Sequence, residues 1–257
     1  MHLWAFYVFL TIFAAKIMQR ILLFLCSCAL QCFTCMALAQ VGEPRSDLAI
    51  GGSGGVALNR IDFDPSIKQT LHTAPTFGVT LRYACEKYFS TYCALQAEVN
   101  FTRLGWTEEI QSSAGVPLPD TYSRDLDYIQ VPLLARLGWG RERRGVMFYI
   151  VAGPQIGFCI GDHARQSSTW TLNGEGIPDR PNSLVAQYSM DIEKKFDYGI
   201  AGGLGLEWNT SIGHFMLEGR YYFGLADIYG NAKKDVFGRS AHGTIFAKLT
   251  YLTDILK

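Results

Sequence analysis

Residues 215–223 read FMLEGRYYF, and the alternation within them decides the fold. Phe215, Leu217, Gly219, Tyr221 and Phe223 fall on one side of an extended chain, and Met216, Glu218, Arg220 and Tyr222 on the other, because side chains of a strand repeat with period two. One side is free of charge and the other carries an ion of each sign. Working outward, the same pattern recurs. Leu95, Ala97, Val99 and Phe101 oppose Gln96, Glu98, Asn100 and Thr102, while Tyr198, Ile200, Leu204, Leu206 and Trp208 oppose Asp197, Gly199, Ala201, Gly203, Gly205 and Glu207. Phe77, Val79, Leu81 and Tyr83 oppose Thr80 and Arg82; Ile129, Val131, Leu133 and Leu137 oppose Gln130 and Arg136; Ile245, Ala247, Leu249 and Tyr251 oppose Thr244, Lys248 and Thr250. The strands predicted in this way lie at about residues 48–59, 75–85, 91–103, 126–139, 146–159, 195–208, 213–225 and 241–252. The first of them is the least defined, because Gly51, Gly52, Gly54 and Gly55 hide its phase.

The connections alternate strictly between long and short. Long polar ones, rich in Gly, Pro, Asn, Asp and Ser, cover about 60–74, 104–125, 160–194 and 226–240, and short ones cover about 86–90, 140–145 and 209–212. An eight-stranded antiparallel up-and-down barrel with brief periplasmic turns and long outer loops produces this alternation directly, so the expected fold class is an all-β transmembrane barrel. A soluble barrel would show the same period with its apolar face inward. Lipid outside is favoured by two belts on the apolar face: Trp139, Trp208, Tyr83 and Phe215 near the short turns, and Phe77, Phe101, Tyr198 and Phe223 near the long loops. It is favoured also by the charges of the other face, where Arg82, Arg136, Arg220 and Lys248 balance Glu98, Asp197, Glu207 and Glu218. These eight residues are expected to form an interior polar network, since an isolated ion in a narrow lumen would cost several kcal/mol.

The chain of 257 residues has 23 Lys+Arg against 23 Asp+Glu, which excludes a basic nucleic-acid binder, and its 49% hydrophobic content excludes a disordered chain. Residues 1–39 read as a leader: no acid occurs there, Met18-Gln19-Arg20 is followed by an apolar run, and Ala37-Leu38-Ala39 precedes Gln40. Met18 is the expected start and cleavage is expected near Ala39-Gln40, leaving residues 40–257 as an exported barrel domain in the outer membrane. Four of the seven cysteines lie in the leader. Of the others, Cys85 and Cys93 flank one short turn symmetrically, where a cross-strand disulfide is geometrically possible.

The stretches KYFSTYCALQAEVNFTRLGW (87–106), DYIQVPLLARLGW (127–139), YIVAGPQIGF (149–158), DYGIAGGLGLEW (197–208) and EGRYYFGLADIYG (218–230) carry a resemblance to a known family. The chain resembles the Bacteroidetes outer-membrane β-barrel proteins described as PorT-like. The tokens are Pro132, Ala152-Gly153-Pro154, Gly203-x-Gly205, Arg220-Tyr221 and Gly224-Leu225. The resemblance implies an outer-membrane barrel of about eight strands with no agreed activity or cofactor, some of whose named members are tied to protein secretion.

Three function classes follow. The first is a non-enzymatic barrel with long extracellular loops in envelope structure or binding; the second is an accessory of secretion or transport across the outer membrane. The third is a lipid A-modifying rim enzyme, for which Ser240 and His242 at the start of the last strand and His214 at the opposite end of the seventh are the candidates, with nothing that assembles a base and its orienting acid. The first is preferred, with histidines at strand ends near headgroups. The glycines of AGGLGLE (201–207) precede no helix, so they fail the test for a nucleotide loop and read as strand glycines. Eight strands enclose little more than their own side chains, which disfavours an open pore. No catalytic, cofactor or metal set is read. The expected contacts are outer-membrane lipid around the wall and envelope or secretion proteins at the loops, above all at 160–194, while the oligomeric state stays open.

Overall fold

The computed structural model describes residues 42–111, 115–142, 144–167, 169–171 and 184–256. The expected leader and the Pro178–Pro181 stretch of the longest loop lie outside the described residues. Eight long strands follow one another: β1 (Leu48–Asp64), β2 (His72–Tyr88), β3 (Thr91–Glu108), β4 (Tyr122–Gly140), β5 (Gly145–Gln166), β6 (Phe196–Thr210), β7 (Gly213–Asp227) and β8 (Arg239–Leu256). Each pairs antiparallel with its predecessor. The last returns to the first, in unbroken register from Arg239 opposite Asp64 to Asp254 opposite Ala49, with Ile245 opposite Leu58 and Lys248 opposite Gly55. The ring is closed, and no backbone edge is left among the spanning strands.

The faces divide as alternation requires. Val99, Leu133, Ile200, Leu204, Leu217 and Leu249 are all more than half exposed on the outer wall. Arg82, Glu98, Arg136, Glu207, Glu218, Arg220 and Lys248 are all at 3% or less inside it. A soluble barrel would reverse this, so the wall faces lipid. Both aromatic belts are present: Trp208, Phe215 and Tyr83 stand exposed toward the short turns, while Phe77, Tyr198 and Phe223 do so toward the long loops. Neighbouring rings meet within each belt, Phe215 with Tyr251 at 5.0 Å and Phe77 with Phe101 at 5.1 Å.

The phase hidden by glycine in β1 is settled by its neighbours. Ala49, Ala57, Asn59, Ile61 and Phe63 are buried, and Ile50 and Val56 look outward. Gly55 has no room for a side chain, because a Cβ there would lie 2.1 Å from the Ala247 carbonyl oxygen of β8. Gly205 of β6 serves the lumen in another way: a Cβ would lie 2.4 Å from Cζ of Tyr149, so its absence admits the phenol ring.

Two expectations require correction. Several strands run well past their expected outer ends, β3 to Glu108, β5 to Gln166 and β1 to Asp64, while β4 begins at Tyr122. Their outer face is no longer apolar there, but inward parity continues through Leu104, Trp106 and Glu108, which are buried under a cap. Cys85 and Cys93, for their part, are free thiols. The hairpin register passes from Ala84 opposite Ala94 to Glu86 opposite Cys93, and this bulge leaves Cys85 out of the pairing, removing the symmetry that a cross-strand bridge needs.

Leu204 is 57% exposed on the outer face of β6. Leu204→Arg is expected to lower folding stability in lipid vesicles by roughly 2–4 kcal/mol, as for a cation near the bilayer midplane. Urea titration of the heat-modifiable gel form reads this, and a midpoint equal to that of Leu204→Ala would contradict the assigned facing.

Candidate functional site in the barrel lumen

The polar residues of the lumen are layered. Toward the short turns, Glu207 of β6 accepts hydrogen bonds from the guanidinium groups of Arg82 (β2) and Arg136 (β4). His214 of β7 sets Nδ1 2.9 Å from Glu207 and Nε2 2.9 Å from Asp254 of β8. In the middle layer Arg220 of β7 binds both Glu98 and Glu218. Lys248 Nζ donates to Glu98 at 2.7 Å and to Asn100 at 3.0 Å, and Gln96 donates to Glu98 at 2.7 Å. The layers are joined where the Arg136 guanidinium lies 3.6 Å from the centre of the Tyr149 ring, whose hydroxyl donates to Glu218 at 3.2 Å. Four cations thus face four carboxylates inside a wall of lipid-facing side chains, each ion having several partners. Such a network stands only when complete, since removing one member leaves a buried charge without compensation.

All of the sequence-predicted network residues except Asp197 meet in these two layers. Asp197 sits nearer the long loops, where it accepts a hydrogen bond from Tyr222 at 2.8 Å and, among the described residues, has no ion pair. Its expected place is taken by Asp254. That residue continues the inward parity of Lys248, Thr250 and Leu252, and was missed because the strand runs to Leu256, past its expected end at 252. His214 likewise points into the lumen and does not reach toward headgroups.

A further layer above Asp197 is neutral. Asn59 donates to the Gly105 carbonyl at 2.6 Å, and His242 lies 3.4 Å from Asn59 and 3.3 Å from the Tyr128 hydroxyl. Ser240 Oγ accepts the Tyr229 backbone N–H at 3.1 Å. Ser240 and His242 are therefore engaged separately, with no hydrogen bond between them, and His214 belongs to a different layer. No metal-ligating cluster occurs among the described residues.

The long-loop end is closed by a cap that sequence reasoning missed. Arg124 of β4 forms a bidentate pair with Asp162 and donates to the carbonyls of Gln187 at 3.2 Å and Met190 at 2.6 Å and to the Tyr229 hydroxyl at 3.0 Å. Burial pushes the Tyr229 phenol up, so it stays neutral beside this cation. Glu108 accepts from Trp106 at 3.1 Å, Gln187 at 3.1 Å and Tyr188 at 2.6 Å, fixing the 3₁₀ turn Ala186–Tyr188 over the mouth. Phe63 packs on Trp106 at 5.3 Å and on Phe237 at 5.0 Å, and Tyr188 on Tyr122 at 4.7 Å and on Trp170 at 4.9 Å. The usable signal was parity: Leu104, Trp106 and Glu108 continue the inward series of Gln96 to Thr102. Among the described residues the opposite end is open. A polar cavity of ≈ 840 Å³ lies at the short turns, lined among others by Arg45, Arg82, Tyr92, Glu207, His214 and Asp254.

A closed ring of antiparallel strands, apolar outside and ion-paired within, defines an integral membrane β-barrel. A family model described as outer membrane protein beta-barrel domain matches residues 38–230, more than half of the chain, and the chain belongs to that family. Its place is the outer membrane. No curated protein matches the chain. Among solved structures it is similar to OprG from Pseudomonas aeruginosa (15% identity, TM-score 0.44, covering 82% of this chain and 98% of that one). It is similar also to the attachment invasion locus protein Ail of Yersinia pestis (16%, TM-score 0.38, 81% and 100%) and to Neisserial surface protein A (13%, TM-score 0.36, 79% and 96%).

Arg220→Leu leaves Glu98 and Glu218 short of a cation and is expected to destabilise the folded barrel by roughly 3–5 kcal/mol. Lys233→Leu, in the exposed loop before β8, is expected to change stability by less than about 0.5 kcal/mol. Heat-modifiable gel shifts across a urea series compare the two, and equal midpoints would place Arg220 outside the network.

Proposed function

We propose that this protein is a non-enzymatic outer-membrane barrel, shut to passive diffusion, that acts through its extracellular cap in envelope structure or binding. The observation that supports this reading is the double closure of the lumen. Arg124 and Glu108 hold the aromatic cap over the outer mouth, and below it Arg136, Tyr128, Tyr149 and Tyr222 fill the bore without solvent exposure. Rigid elements that present loops at one rim are the usual setting for recognition. Export by a leader over residues 1–39, with a barrel domain over 40–257, is part of the same proposal, as are contacts with outer-membrane lipid and with envelope proteins at the loops.

A second reading has its own observation. The polar cavity of ≈ 840 Å³ opens on the short-turn side, where a periplasmic partner could reach it. That would suit an accessory of secretion or transport, the role tied to PorT-like proteins. The rim-enzyme reading has no comparable support, because Ser240 and His242 are each held by other groups.

In planar bilayers the purified protein is expected to give no conductance steps, and Arg124→Leu, which releases the loop at Gln187 and Met190, is expected to stay silent as well, because Arg136, Tyr128, Tyr149 and Tyr222 still fill the bore beneath the cap. Steady wild-type steps would defeat the closed-barrel reading. Lipid A profiles with and without the gene are expected to match in mass spectra, and a missing acyl or phosphate modification would reinstate an enzyme.

A further inference from the structure

On the outer wall, where β6 begins and β7 ends, a groove of ≈ 410 Å³ combines two chemistries. Its floor is apolar: Phe196, Tyr198 and Leu225 are 45%, 48% and 49% exposed, at the level of the belt next to the long loops. Its upper rim carries Lys194 and Lys195, immediately before Phe196 in the chain. These lysines do not sit on a free loop. The Lys194 N–H donates to the Ile228 carbonyl at 3.1 Å, and the Lys195 carbonyl accepts from the Cys159 N–H at 2.8 Å, so β5 on one side and the residue just after β7 on the other hold the backbone.

The charge balance of the groove is positive. Asp227 also lines it, but its carboxylate accepts the Ser240 N–H of β8 at 2.7 Å and the Asn231 amide of the loop at 2.9 Å, and two lysines against it leave the lining net positive. Lys194 Nζ reaches only the neutral Asn231 side chain, at 3.3 Å, and among the described residues neither lysine has an ion pair. Two ammonium groups directly above an acyl-facing aromatic floor match a molecule with phosphate at one end and hydrocarbon at the other. We propose that this groove is a binding site for a phosphorylated acyl lipid of the outer leaflet, with phosphate on Lys194 and Lys195 and an acyl chain along Phe196, Tyr198 and Leu225. The site presumes only that the wall lies in the outer membrane, so it stands or falls apart from the role given to the cap.

Wild type and the K194Q/K195Q double variant would be placed in phosphatidylcholine nanodiscs doped with lipid A or with its dephosphorylated form, and retained lipid counted by native mass spectrometry. Two ammonium groups near an anionic surface predict about 30-fold weaker retention of lipid A by the double variant. Lys195→Gln alone predicts an intermediate loss, and K233Q/K234Q predicts none. Dephosphorylated lipid is expected to be held by wild type as weakly as lipid A is by the double variant. An unchanged gel shift on heating verifies that each variant is folded. Equal retention by wild type and double variant, equal retention of the two lipids, or complete displacement of lipid A by inorganic phosphate would overturn the assignment.

Discussion

The hydrogen bonds between β1 and β8 are the constraint on which the remaining structure depends. In hydrocarbon an unpaired backbone group has no water to turn to, so a sheet can exist there only if its first and last strands find each other. They do so from Leu48 against Leu256 to Asp64 against Arg239. The close passage is possible because β1 offers glycine where β8 comes nearest, as at Gly51 and Gly55. Once the ring is shut, alternate residues of every strand must look into a narrow bore. The polarity of that bore follows from the lipid outside it.

Ions confined in such a bore have to satisfy one another. Glu207 is shared by Arg82, Arg136 and His214, and Glu98 by Arg220 and Lys248, so strands distant in sequence are joined across the lumen. The network has a consequence for register, because sliding one strand by a residue would send its cation into lipid and an aliphatic side chain among carboxylates. The same groups, with Tyr128, Tyr149 and Tyr222, fill much of the bore, and eight strands enclose little more than their own side chains.

Chemistry differs between the ends. At the long-loop end the polar atoms of Arg124 and Glu108 are spent on the cap itself, and aromatic rings cover them. At the short-turn end the charged groups border an open cavity. On the outer wall the aromatic belt passes into lysines where the membrane meets solvent, so hydrocarbon and headgroup are addressed by neighbouring residues of one chain segment.

Alternation in the sequence was enough to determine the strands, because period two is a local property of an extended chain, and the long and short connections gave their antiparallel order. The aromatic belts and the balanced charges of the other face then set the facing of Leu204 and Arg220, and so the outer-membrane barrel, which period two alone could not do, since a soluble barrel shares it. Several features were decided only by the tertiary structure: the phase of β1, where glycine carries no side chain to read; the substitution of Asp254 for Asp197 in the ion network; and the bulge that separates Cys85 from Cys93. So was the cap. Arg124, Asp162, Gln187 and Tyr229 are far apart in the chain, and their contact depends on the height each reaches along the barrel axis, a quantity fixed by strand tilt and register across the whole ring.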